Sequence, residues 1–296
     1  MAAFGLSTYV AINRVMDSVS DSEEVFHDSG NIAVMSLIGI IKDSKDFLKE
    51  VAELEERKDI KGVVLRIDSP GGVVAPSQEM YTAIRNLSKS KKVVCSMGSL
   101  AASGGYYVAS ACDKIVASPG TLTGSIGVIM EFVNLKELFG WAKIDPYVMK
   151  AGKMKDIGSP TRAMTKDEQE YLQTLLNEIH DQFKKDIIAS RNMDPKVLEE
   201  YADGRVFTGS QALKLGFVDV LGGEATAIEL VAKLAGLTEK PKVVRKVKSS
   251  KFAAVFDMDE KSYLGEKLLK AFVPAAQFNL SPGIPYLLPA HFLEGR

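Results

Sequence analysis

The chain is predicted to be an α/β protein. Short apolar runs rich in β-branched residues alternate with segments of helical periodicity, and the connections between them are rich in glycine. Two strand–helix units carry their glycines at the mouth of the helix. Residues 62–67 (GVVLRI) pass through DSPGG into a helical pattern at 76–87, and residues 93–97 (VVCSM) pass through GSLAASGG into another at 104–111. A length of 296 residues with 46% hydrophobic content and a mean hydropathy of +0.02 describes a globular chain of one large or two modest domains.

The other elements follow in order. Residues 31–41 (NIAVMSLIGII) predict the first strand and residues 46–57 a helix. Short strands are expected at 114–117 and 126–130, and a short helix at 134–141. Over residues 165–190, Tyr171, Leu172, Leu175, Leu176, Ile179 and Phe183 form one apolar stripe, which predicts a long helix. It is either an arm packed on a neighbour or an ordinary helix of its own domain. Asp194-Pro195 starts the next helix. Residues 210–215 predict a short helix ending at Gly216, and Gly222-Gly223 precede one at 224–234. The basic stretch 240–251 reads as a solvated linker or an edge strand, in preference to a membrane-surface contact. Residues 257–273 predict a helix. The apolar, Pro-rich end, 278–293 (FNLSPGIPYLLPAHFL), is expected to pack on its own core or in a groove of a neighbouring subunit.

Ser103 lies where a strand meets a helix among small residues. Small neighbours admit a substrate backbone, and the helix N-terminus offers N–H groups to a developing oxyanion. The amide of Gly104 is one candidate donor, and the Gly71-Gly72 pair supplies the second. Histidine, the usual partner of a nucleophilic serine, occurs three times, as His27, His180 and His291, each in a context that reads as a solvated surface. Lysine is the recurring alternative base. Lys150, Lys153 and Lys155 cluster in residues 149–160 (MKAGKMKDIGSP). A free lysine titrates near pH 10.4, so a lysine base must have its ammonium destabilised by about 3–5 kcal/mol. Burial beside apolar groups such as Met154 and Ile157 would do this. Asp156 would oppose it unless its carboxylate points away from the amine.

The net charge of −1, from 37 basic and 38 acidic side chains, gives no electrostatic footprint for nucleic acid. Cys95 and Cys112 fit no metal or CxxC spacing and read as buried thiols. No metal or nucleotide cofactor is expected. The DSPGG turn lacks the lysine that completes a phosphate loop. Residues 1–12 are apolar and uncharged but too short to span a bilayer, which needs about 20 residues.

Five stretches together resemble the bacterial signal peptide peptidase family SppA, Ser/Lys-dyad endopeptidases of the ClpP/crotonase superfamily. They are 66–72 (RIDSPGG), 101–107 (AASGGYY), 118–128 (SPGTLTGSIGV), 152–156 (GKMKD) and 206–219 (VFTGSQALKLGFVD). Each is weak alone; all five occur in the family's order, one copy each. The resemblance implies a ClpP/crotonase-like spiral of ββα units with a long helical arm. It implies Ser103 as nucleophile, Lys155 as general base in preference to Lys150 and Lys153, Ser125 as the hydroxyl that contacts the lysine amine, and the amides of Gly72 and Gly104 as the oxyanion hole. Leu100, Tyr106, Tyr107, Val128 and Met130 are candidate lining residues for an apolar peptide, with core packing as their other reading. The implied organisation is an anchor remnant and linker at 1–30, a peptidase domain at 31–237 and a C-terminal extension at 238–296. The implied setting is a homo-oligomer at the cell membrane, with its catalytic domain outside the cytoplasm and its active sites near subunit interfaces, degrading released signal peptides. A crotonase-type acyl-CoA enzyme and a non-catalytic membrane-associated scaffold are the alternatives. Serine-hydrolase probes separate the first reading from both.

Overall fold

The computed structural model describes residues 24–25 and 29–248. The chain divides into two units, Phe26–Val247 and one formed by Met1–Val25 with Lys248–Arg296. Every element named below belongs to the first. Residues 1–23, the expected helix at 257–273 and the apolar tail at 278–293 lie outside the described residues.

The sheet is built from β1 (Ile32–Ile38), β2 (Gly62–Ser69), β3 (Lys92–Ala102), β4 (Lys114–Ala117), β5 (Leu122–Gly124), β6 (Val206–Thr208), β7 (Val220–Leu221) and β8 (Val243–Arg245). The helices are α1 (Lys45–Glu56), α2 (Val74–Ser90), α3 (Gly104–Ser110), α4 (Lys136–Trp141), α5 (Lys166–Arg191), α6 (Pro195–Tyr201), α7 (Gly209–Lys214) and α8 (Glu224–Leu234). The main strand order is β6-β5-β3-β2-β1-β8, with β4 pairing β3 and β7. All pairings in it are parallel except β5 with β6. The basic stretch therefore supplies an edge strand. The sheet continues to Arg245, past the boundary expected at residue 237, because β8 pairs with β1 over Ile32–Val34.

Strand alternation divides the core in two. Ala33, Met35, Leu37, Val63, Leu65, Ile67, Val93, Cys95 and Met97 enter the larger cluster, together with buried residues of α1, α2, α3 and α5. Ile32, Val34, Val64 and Val94 point the other way and are covered by Ala227, Val231 and Ala232 of α8. Cys95 and Cys112 are buried free thiols, and burial with a neighbouring thiol pushes Cys112 well up.

β3 is the branching strand. Its residues 94–96 pair with β4 and its residues 100–102 with β5. Between them the register against β2 slips, from Ile67 opposite Met97 to Ser69 opposite Ala101. The small residues at 98–102, expected as a connection between strand and helix, are thus the end of a bulged strand. Asp68 holds the bulge: its carboxylate accepts the amides of Ser99 (3.3 Å) and Leu100 (3.1 Å). Thr121 Oγ1 donates to the Gly98 carbonyl at 2.7 Å. A Cβ on Gly98 would lie 2.5 Å from Asp68 Oδ2, so glycine is required there.

The strand expected at 126–130 does not form. Its β-branched residues suit a strand, but β5 ends at Gly124, Ser125 turns at φ +52°, and the Ile126 carbonyl is taken by Gly204 N–H at 3.1 Å. The chain then leaves the sheet, and Ile129 is exposed. The long helix α5 begins with a capping box between Thr165 and Glu168. Its C-terminal half packs on its own domain through buried Phe183 and Ile187.

Candidate active site

The site lies at the C-terminal ends of parallel strands, where open α/β sheets bind ligands. Ser103 follows β3 directly and caps α3. Its backbone sits at φ +52°, ψ −122°, a conformation costly for a residue with a Cβ. Two bonds hold it there: its N–H donates to the Gly124 carbonyl (2.8 Å), and its carbonyl accepts Tyr107 N–H (2.9 Å). Because Ala102 pairs with Gly124, Ser103 and Ser125 leave adjacent parallel strands side by side, both at φ +52°.

The DSPGG turn after β2 closes on this elbow. Gly71 N–H donates to Ser69 Oγ at 3.1 Å. A Cβ on Gly71 would lie 2.5 Å from the Gly104 nitrogen, and one on Gly72 would lie 2.0 Å from the Ile41 carbonyl oxygen. A Cβ on Gly104 would lie 2.5 Å from Ser77 Oγ and 3.3 Å from the Gly72 nitrogen. These close approaches, together with the positive φ of Gly71 (+93°), account for the glycines. They bring the Gly72 and Gly104 amides together beside Ser103. Ser77 donates to the Val73 carbonyl at 2.9 Å and so tightens the first turn of α2 at this point.

Gly72, Ser103 and Gly104 line an open cavity with Val74, Ser77, Tyr107, Gly127, Val128, Ile179 and Phe183. Of the lining residues expected from sequence, Val128 and Tyr107 are here. Tyr106 is not: it is fully buried, donates to the Phe217 carbonyl at 3.1 Å and packs edge-on against that ring, so it is a core residue. One residue along the helix rotates the side chain by about 100° and exchanges core for cleft. Leu100 is half-buried in β3 opposite Leu122, and Met130 is exposed; neither lines the cavity. Sequence reasoning missed Ile179 and Phe183 as cleft residues. Both belong to the apolar stripe of α5, the signal that marks them. Tyr107 stacks on Phe183 with ring centroids 4.4 Å apart, and its hydroxyl donates to Asp186. Burial and that carboxylate push its phenol far above the ordinary range.

Among the described residues, no lysine lines this cavity. Lys155 is exposed, in the turns between α4 and α5. The structure separates the three lysines by their partners. Lys150 pairs with Asp156, and Lys153 pairs with Asp167 at 2.6 Å. Lys155 makes no side-chain hydrogen bond or ion pair among the described residues. The Asp156 carboxylate is taken by Lys150 and Arg162 and makes no ion pair with Lys155 among the described residues. His180 departs from its expected solvated place: its Nε2 is buried and finds no partner among the described residues. No cluster of three or more His, Cys, Asp or Glu side chains suited to a metal ion occurs among the described residues.

Residues 85–238, just over half of the chain, match the profile of peptidase family S49, and residues 17–121 match that of Clp protease. A Synechocystis sp. protein provisionally named protease slr0021 is 45% identical over 208 residues, 70% of this chain and 75% of the relative. A provisionally named signal peptide peptidase SppA of Enterococcus faecium is 30% identical over 283 residues, 88% of this chain and 79% of the relative. A chloroplastic serine protease SPPA of Arabidopsis thaliana is 34% identical over 201 residues, 68% of this chain but 30% of that longer protein.

Proposed function

The chain belongs to peptidase family S49 and has the α/β fold of Clp-type proteases, and from that premise we propose that it is a serine endopeptidase working through a Ser103/Lys155 dyad. The observation that carries the reading is the elbow: Ser103 stands at the mouth of α3 in a strained conformation, with the Gly72 and Gly104 amides beside it. Neutral Lys155 takes the Ser103 proton as Oγ attacks the scissile carbonyl. The two amides stabilise the oxyanion. The leaving amine departs protonated, and water then releases the acyl-enzyme. Ser125, which leaves the adjacent strand beside Ser103, orients the lysine amine in this reading.

Lys155 reaches this serine from a neighbouring copy of the chain. The reading is supported by its exposure, by the absence of any lysine from the cavity among the described residues, and by the exposed apolar segment that precedes it in the chain. Ile129, Val133, Trp141, Ile144, Tyr147, Val148 and Met149 are all at least half exposed along one segment that leads to Lys155. A run of this kind marks a contact surface. The catalytic protein is therefore a homo-oligomer, and its substrates are apolar peptides bound against Val128, Tyr107, Ile179 and Phe183. Released signal peptides, named for the Enterococcus faecium relative, fit that cleft. A place at the outer face of the cell membrane is part of the same reading. Among the described residues, no helix is long and apolar enough to cross a membrane.

Labelling with a fluorophosphonate serine probe tests the reading. The purified chain is expected to label at Ser103 and to cleave an apolar fluorogenic peptide, with Ser103→Ala abolishing both. Cleavage that persists in Ser103→Ala would overturn it.

A further inference from the structure

The turns that carry Lys155 are fastened to the start of α5 by one guanidinium. Arg162 donates Nε to Asp156 Oδ2 and Nη2 to Asp156 Oδ1, both at 2.8 Å. It also donates Nη1 to Glu168 Oε2 at 2.8 Å and Nη2 to Glu168 Oε1 at 2.5 Å. Glu168 is itself buried and accepts Thr165 N–H at 2.9 Å in the capping box of α5. Bidentate pairs of this kind fix orientation as well as charge. Lys150 completes the cluster on Asp156 and also donates to the Lys153 carbonyl at 3.1 Å. Lys153 is matched by Asp167, and Lys166 is exposed at the first residue of α5. Two cations, Lys150 and Arg162, thus balance two carboxylates, Asp156 and Glu168, while Lys155 stands next in sequence to Asp156 without a counter-ion among the described residues.

We propose that Arg162 is a positioning residue for catalysis: by occupying both oxygens of Asp156 it keeps that carboxylate from pairing with the Lys155 ammonium, and by bridging to Glu168 it fixes the lysine turn to α5. The proposal rests on Lys155 as the general base. Its logic is electrostatic. A carboxylate a few ångströms from an ammonium favours the charged form, which cannot accept the serine proton. Asp156 is next to Lys155 in sequence, and Arg162 occupies both of its oxygens. Arg162 and Lys150 hold its carboxyl well below the ordinary range, and Arg162 draws Glu168 down to about 2.

The test is the ascending limb of kcat/KM against pH for peptide cleavage by the purified full chain. In Arg162→Gln the limb is expected about one pH unit higher, so that activity on the limb falls about tenfold. Asp156→Asn/Arg162→Gln is expected to return the limb to its original position, because the released carboxylate is gone. Arg162→Lys is expected to fall between the wild type and Arg162→Gln. Activity lost uniformly with the limb unmoved in Arg162→Gln, or a limb still displaced in the double variant, would overturn the clamp. If Arg162→Gln does not fold, Asp156→Asn decides: a limb at or below its original pH supports the proposal and a rise contradicts it. Lys155→Ala, run alongside, separates the two levels. An active Lys155→Ala removes the dyad itself, whereas an inactive one with an unmoved limb in Arg162→Gln removes only the clamp.

Discussion

The strand that ends at Ser103 and the segment that carries Lys155 are held by different forces. The elbow is enclosed by its own chain: β3 is flanked on both sides, Ser103 and Gly124 are joined through the backbone, and Gly71, Gly72 and Gly104 are packed too closely to admit a Cβ. The segment from residue 129 to 149 is mostly exposed and apolar, with Trp141 82%, Tyr147 88% and Met149 86% accessible. The lysine turn that follows is fastened by ion pairs to α5 and by little apolar burial. On the proposed dyad, one half of the chemistry is completed by folding and the other half is left for assembly. Packing fixes the strained backbone of Ser103, whereas an exposed apolar surface of this kind marks a contact with another molecule.

The sharpest break of this comparison is at the chemistry. Ser103→Ala and Lys155→Ala are each expected to lower peptide cleavage by at least about a thousandfold. Both should keep the wild-type circular dichroism spectrum and melting temperature. Next comes the enclosed side. Gly72→Ala places a Cβ against the Ile41 carbonyl, and displacement of that amide is expected to cost about a hundredfold in kcat with a smaller change in KM. On the open side, Trp141→Asp/Tyr147→Asp is expected to shift the protein to monomer by sedimentation and to reduce activity at least about tenfold. Its unfolding free energy as a monomer should stay within about 0.5 kcal/mol of the wild type, because both side chains are exposed.

Smaller effects sharpen the contrast. Asp68→Ala removes two charge-assisted hydrogen bonds from the bulge of β3 and is expected to destabilise the chain by about 1.5–3 kcal/mol in urea unfolding. The smallest concerns Asp219, which accepts the Ile115 amide, Lys114 and Arg191. Burial raises its carboxyl, but Arg191, Lys114 and the amide outweigh burial and leave it below the ordinary value. A depressed carboxyl stabilises the fold above its unfolded pKa of about 3.9 and loses that contribution as pH falls through the folded value. The stability difference between the wild type and Asp219→Asn should therefore be full at pH 7 and shrink below pH 4. A difference unchanged at pH 3 would contradict this.

Much of the enclosed side was legible in the sequence. The apolar runs at 62–67 and 93–97, the Gly-rich mouths, the stripe of 165–190 and the cap at Asp194 report local physics, and they form the elements expected of them. The limits were positional. Residues 126–130 have strand composition, yet strands exist only where an edge is available, and β5 ends before them. Small residues at 98–102 look like a turn, but a carboxylate one strand away draws them into a bulge. Tyr106 and Tyr107 are alike in sequence and are separated only by the rotation of α3 against Phe217 and Phe183. Ile179 and Phe183 look like core residues because a cleft wall and a core wall use the same side chains. The clamp of Arg162 on Asp156 and Glu168 depends on how the turns fold back, which spacing alone does not specify.

Complementation between inactive variants tests the account's central claim most directly. Ser103→Ala and Lys155→Ala would be purified separately, mixed in equal amounts under conditions that exchange subunits, and assayed on an apolar peptide. If Lys155 of one subunit serves Ser103 of its neighbour, mixed assemblies contain intact pairs and activity recovers to about a quarter of the wild type. A mixture that exchanges subunits and stays inactive would contradict a dyad shared between chains.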